Sequence, residues 1–80
     1  MKTDNILEAL QPIARDIFDN EDINLSLTST AEDVEEWDSI SHIQFISSIE
    51  QHFQIKFTTQ EILKLKNVGD IISTIEQKIN

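Results

Sequence analysis

The chain has no cysteine among its 80 residues, so neither a disulfide framework nor a thiolate zinc site is open to it. No apolar run approaches the roughly 20 residues needed to span a bilayer. The opening residues Met1-Lys2-Thr3-Asp4-Asn5 lack a basic flank leading into an apolar signal core, so a cytoplasmic location is expected. Positive charge is also scarce. Six bases against fifteen acids leave a net charge of −9, which disfavours nucleic acid and anionic membrane surfaces as partners. From Asp16 to Ile55 the chain carries ten acids and no lysine or arginine. Such a stretch is either a solvated surface kept soluble by repulsion or a docking face for basic partner proteins.

What is present suffices for one small domain covering residues 1–80, with marginal stability. A hydrophobic share of 39% beside 26% charged residues argues against disorder. Ile6, Leu7, Leu10, Ile13, Ala14, Ile17 and Phe18 recur at helical spacing, with Thr3 or Asp4 as caps. Pro12 interrupts that pattern and predicts a kink. Residues 19–38 show no sustained periodicity. A connection this long is usually functional or disordered, and Ile23, Leu25, Leu27 and Val34, spaced to pin it onto a core, favour an ordered loop.

Asp38 is a good N-cap for a second helix. Ile40, Ile43, Ile46, Ile49 and Phe53 follow as its core face, with Phe45 on the flank. Thr58-Thr59-Gln60-Glu61 reads as a capping box for a short third helix anchored by Ile62, Leu63 and Leu65. Asn67 caps a fourth, whose stripe is Val68, Ile71, Ile72, Ile75 and Ile79. Ile55-Lys56-Phe57 alone hints at extended chain, and one isolated segment makes no sheet. The expectation is an all-α bundle of three longer helices and one short helix, with a long first loop. Ile43, Ile46, Ile49, Ile71, Ile72 and Ile75 should share its core with Leu10, Ile17 and Phe53.

Catalytic constellations are poorly supported. Ser39 and His42 fall on one helical face beside Asp38, but Asp38 is needed as a cap, and so short a chain leaves little room for an oxyanion hole. His42 and His52 read as helix-surface residues on different faces, a poor metal pair. Asp19-x-Glu21-Asp22 lacks the glycine and terminal glutamate of a calcium loop. The chain is not expected to be an enzyme. Ser39 stands out for another reason. A hydroxyl at a helix N-terminus faces unpaired backbone N–H groups and the positive end of the helix dipole, a setting suited to a covalently attached phosphate.

Asp38-Ser39-Ile40 at the start of a helix, after a long acidic loop, resembles the acyl and peptidyl carrier protein family. So do the Ile55-Lys56-Phe57 entry to the short helix and the Asn67-Val68-Gly69-Asp70 opening of the last one. The resemblance covers essentially the whole chain. It implies a four-helix, monomeric carrier whose Ser39 receives 4′-phosphopantetheine from coenzyme A, by a magnesium-dependent phosphopantetheinyl transferase. The arm's thiol would hold acyl intermediates as thioesters for acyl-loading and acyl-transfer enzymes, which accords with a chain lacking its own sulfur nucleophile.

Fatty-acid synthase carriers typically have Gly-(Ala/Val/Leu)-Asp-Ser-Leu followed by acids along the second helix. Here Glu36-Trp37 precede the motif, while Ser41, His42, Gln44, Ser47 and Ser48 are expected on the helix surface before Glu50. That pattern looks more like discrete carriers of specialised polyketide, peptide or aminoacyl pathways. Docking is expected to use Asp33, Glu35 and Glu36 for long-range attraction, with Trp37 and Ile40 as apolar contacts; Trp37 packing inward is the competing expectation. The alternative, from a different class, is a non-catalytic acidic helical adaptor that binds basic protein partners without a prosthetic group.

Overall fold

The computed structural model describes residues 3–79. Four helices follow in order: α1 (Thr3–Ile17), α2 (Ser39–Phe53), α3 (Thr59–Lys64) and α4 (Val68–Ile79), and no strand occurs among the described residues. α1 packs against both α2 and α4, within extents of 31 × 25 × 21 Å.

α1 buries Ile6, Leu10 and Ala14, four residues apart on one stripe, and Phe18 continues that line just beyond the helix. The helix runs unbroken through Pro12. The carbonyl of Glu8 loses its ring-blocked donor there, but Glu8 and Pro12 are both exposed, so water can satisfy it. Thr3 and Asp4, expected as caps, already lie in the helix, and the Thr3 hydroxyl donates to Glu76 on α4 at 3.0 Å. Both long helices that precede α3 end on a left-handed residue, Asp19 (φ 52°) and Gln54 (φ 56°), where glycine is usual. After α1 the Asn20 N–H returns to the Arg15 carbonyl at 3.1 Å and the Asp19 N–H to Asp16 at 3.3 Å. Those bonds offset the local strain by occupying carbonyls that would otherwise lack donors.

The face of α2 differs from the expected one. Phe45, Ile46 and Ile49 are buried, while Ile40 is 72% and Ile43 60% exposed. The reason is geometric. Successive three-residue steps fall about 60° short of a full rotation, so Ile40 and Ile49 end about half a turn apart. No helix can bury all of 40, 43, 46 and 49 on one side. Phe45, expected on the flank, is instead fully buried in the core. Leu63 (79% exposed) and Leu27 (44%) are likewise outside the core, whereas Ile62 and Leu65 pack against it. Ile17 and Phe53 border the core rather than filling it. On α4, Val68, Ile71, Ile72 and Ile75 are buried as expected.

The long loop is ordered by bonds to helices at both of its sides. The Gln11 side chain pairs with Leu25 as a strand would, its Nε2 donating to the Leu25 carbonyl at 2.8 Å and its Oε1 accepting the Leu25 N–H at 2.7 Å. Arg15 Nε donates to the Ile23 carbonyl at 2.8 Å. From the other side, the N–H groups of Val68 and Gly69 donate to the carbonyls of Ser29 (3.0 Å) and Leu27 (2.8 Å). These are donors that a helix start otherwise leaves unpaired. The approach is so close that a Cβ at position 69 would meet the Leu27 oxygen at 3.0 Å, which explains the chain's single glycine.

Two local caps complete the frame. Thr58 Oγ1 accepts the Glu61 N–H at 3.1 Å while Glu61 accepts the Thr58 N–H at 2.7 Å, the reciprocal box read from the sequence. Glu61 also pairs with Lys78 at 2.9 Å, tying α3 to α4. Asn67 Oδ1 accepts the Asp70 N–H at 2.8 Å at the head of α4. Residues 55–57 connect α2 to α3 without extended pairing, held by the Phe57 N–H donating to Glu50 at 2.7 Å.

Candidate functional site around Ser39

Ser39 is the first residue of α2 and is exposed. Asp38 before it has extended backbone (φ −114°, ψ −171°), and its Oδ1 accepts the N–H groups of Ile40 at 3.0 Å and Ser41 at 2.8 Å. Ser41 answers with its hydroxyl, which accepts the Asp38 N–H at 2.8 Å and donates to the Glu36 carbonyl at 2.8 Å. Expected on the helix surface, Ser41 is instead buried, and it locks the loop to the helix beside Ser39. Its N–H is the main cause holding the Asp38 carboxyl below the usual carboxylate range. Both capping bonds fall on Oδ1, so the Asp38 carboxylate is engaged as the cap of α2.

Trp37 is turned inward, at 6% exposure. Its ring lies 5.7 Å from Phe18 and, edge-on, 5.7 Å from Phe45, so it fastens the end of the loop to the α1–α2 core. The large apolar side chains exposed on the first turns of α2 are instead Ile40 and Ile43. The Trp37 indole N–H donates to His42 Nδ1 at 3.0 Å, and the two rings stack with centroids 5.9 Å apart. His42, expected as a plain surface residue, is therefore half-buried with one nitrogen used as an acceptor. The neutral ring then carries its proton on Nε2. This geometry leaves His42 no free Nδ1 to be oriented by a carboxylate, so the Ser39–His42 pair does not form a hydrolytic triad.

A cleft of 410 Å³ opens beside the serine, lined by Ala31, Trp37, Asp38, Ser39, His42, Leu65 and Lys66. It brings together the end of the loop, the head of α2 and the α3–α4 connection. The expected docking acids Asp33, Glu35 and Glu36 are all exposed and line a separate hollow on the loop, with Asn20 and Asp22. Asp33 is partly occupied, accepting the Thr30 N–H at 3.0 Å, and Glu36 accepts from Asn20 Nδ2 at 3.2 Å. Glu35 and Ile40 face solvent. Sequence reasoning missed Ser41 and Lys66. A serine three residues after an aspartate cap is a legible box signal, whereas Lys66 reaches the site only through the tertiary fold.

No helix is long and apolar enough to cross a membrane among the described residues. A family model described as the phosphopantetheine attachment site matches residues 8–75. A curated acyl carrier protein homolog of Mycoplasmopsis pulmonis is 46% identical over 41 residues, which are 51% of this chain and 56% of that relative. The match thus spans little more than half of the relative's length. The solution structure of holo acyl carrier protein from Geobacter metallireducens superposes with a TM-score of 0.85 at 45% identity, covering 91% of this chain and 84% of that one. A Mycobacterium tuberculosis chain described as a candidate acyl carrier protein shares the fold alone, with a TM-score of 0.80 at 22% identity over 90% of this chain and 96% of its own. Since the family match runs through the loop, the serine and all the helices around them, the chain belongs to the acyl carrier proteins, non-catalytic carriers whose prosthetic group is covalent 4′-phosphopantetheine.

Proposed function

We propose that Ser39 is the attachment residue and that residues 1–80 act as one carrier domain for thioester-bound acyl groups in a specialised cytoplasmic pathway. The observation that carries this reading is the exposed Ser39 hydroxyl at the head of α2, in a cleft shared with Lys66 and His42. That donor set fits a phosphodiester: a hydroxyl to form the ester, an ammonium to balance its charge and an imidazole N–H. The arm supplies a terminal thiol, on which acyl groups are held as thioesters. The chain's own residues do the rest. Asp38 and Ser41 fix the backbone on either side of Ser39, and Trp37 seals the loop behind it.

The test is loading. Apo protein incubated with coenzyme A, magnesium and a broad-specificity phosphopantetheinyl transferase is expected to gain one arm by mass spectrometry, and Ser39→Ala none. An arm that still appears on the alanine variant would refute the assignment. The specialised role is supported by the outer face of α2, where Ile40, Ile43, Gln44 and Ser47 are exposed and uncharged. Loaded protein is accordingly expected to accept malonyl groups slowly from a fatty-acid malonyl transferase. Rapid acceptance would favour a housekeeping role instead.

Partners are expected to be steered by the loop acids. Charge reversal at Glu35 and Glu36 should slow loading by the transferase, with the effect shrinking as salt rises. Glu50 is an unsuitable control, because its carboxylate holds the Phe57 N–H. Glu8, exposed on α1, serves better. Equal slowing by reversal at Glu8 would show that only net charge matters and that docking does not use the loop.

A further inference from the structure

The cleft beside Ser39 contains one cation in otherwise acidic surroundings. Residues 16–55, which supply the loop and all of α2, contain no lysine or arginine. Lys66 comes from outside that stretch, on the α3–α4 connection, and lines the Ser39 cleft. It also lines the adjoining hollow with Thr30, Ala31 and Glu32, so it stands between the loop and the head of α2.

Its backbone is held in place. The Lys66 N–H donates to Asp70 Oδ2 at 3.0 Å, and the next residue, Asn67, caps α4. Its side chain is exposed. Lys78–Glu61 is the one ion pair among the described residues, so the Lys66 ammonium is not committed to a carboxylate. A phosphodiester at Ser39 adds a negative charge to a cleft that already holds Asp38, with Glu32 lining the adjoining hollow. Like charges brought together there repel, and Lys66 is the lining residue able to offset them.

We propose that Lys66 is the counter-ion of the phosphodiester on Ser39, a positioning residue that keeps the root of the arm at the cleft. The proposal rests on Ser39 being the attachment residue. A lysine suits the task, since a flexible point charge balances a phosphate without clamping it in the bidentate manner of arginine.

The experiment compares apo and holo forms of wild type, Lys66→Gln, Lys66→Arg and Lys64→Gln. Loading is driven to completion with excess transferase and verified by mass. Each form is then unfolded with urea at low and high salt. Attachment of the arm is expected to shift the unfolding equilibrium about two- to fivefold less favourably in Lys66→Gln than in wild type. Lys66→Arg and Lys64→Gln should track wild type, and the difference should vanish near 1 M salt, where screening acts within about 3 Å. The ³¹P resonance of the phosphodiester should move with the same pattern. Because each comparison is between apo and holo forms of one variant, a general loss of stability on substitution cancels. An unchanged apo-to-holo shift in Lys66→Gln, or the same change in Lys64→Gln, overturns the proposal. Wild-type protein that gains no arm at all overturns the Ser39 reading, and this inference with it.

Discussion

Ile72→Ala is expected to lower unfolding free energy by about 2–5 kcal/mol, while Ile43→Ala should change it by no more than about 0.5 kcal/mol. Ile72 is 1% exposed on α4, among Ile71, Ile75 and the stripe of α1. Truncating it removes buried methyl groups and leaves a cavity that its neighbours fill only in part. Ile43 is already 60% in water, so its side chain has little burial to lose. Domains of this size have about 5–15 kcal/mol in total, so the first substitution threatens folding and the second does not. Urea midpoints of the two variants measure the contrast directly. Equal losses would mean that the assigned face of α2 is wrong by roughly half a turn.

Trp37→Ala is expected to cost about 3–5 kcal/mol, the range for removing a buried large aromatic. The ring touches Phe18 just after α1 and Phe45 on α2, so its loss loosens the loop from both. Trp37→Phe should cost less, about 1 kcal/mol for the lost hydrogen bond to His42 plus some packing. The two variants separate the role of the ring from that of the N–H. Hydrogen exchange at Ile40 and Ser41 gives a local readout, since these amides are held by Asp38 at the end of the loop that Trp37 anchors. If the alanine variant melted like wild type, Trp37 would have to lie on the surface, and a partner contact would again be the better account of it.

The features legible in the sequence are those encoded by near neighbours. The Asp38 cap, the Thr58–Glu61 box and Asn67 all depend on spacings of two or three residues, and each appears where expected. The α4 stripe is equally plain because every one of its buried isoleucines sits on one face. Errors arose where hydrophobicity was equated with burial. Ile40, Ile43, Leu27 and Leu63 are apolar and exposed, as many such residues are in a chain with more apolar side chains than its core can hold. Ser41 departs in the opposite sense, a polar residue that is buried with its hydroxyl hydrogen-bonded on both sides. The roles of Glu50 and Lys66 were hidden for a different reason. One holds the backbone seven residues away and the other lines the same cleft as Ser39 from the α3–α4 connection, which only the tertiary fold specifies.

The bonds from Val68 and Gly69 to the carbonyls of Leu27 and Ser29 have a consequence for how the chain matures during synthesis. A ribosome that has finished α2 has made Ser39 and every acid of the loop. It has not yet made the donors that close the loop's far side. Those arrive with residues 68 and 69, about thirty positions after the serine. During synthesis the hydroxyl therefore precedes the contacts that close the loop, and those contacts form only once the head of α4 is free to fold. An enzyme that read the shape of the loop, rather than the bare Asp-Ser sequence, would need a chain whose Val68 and Gly69 had already docked on it.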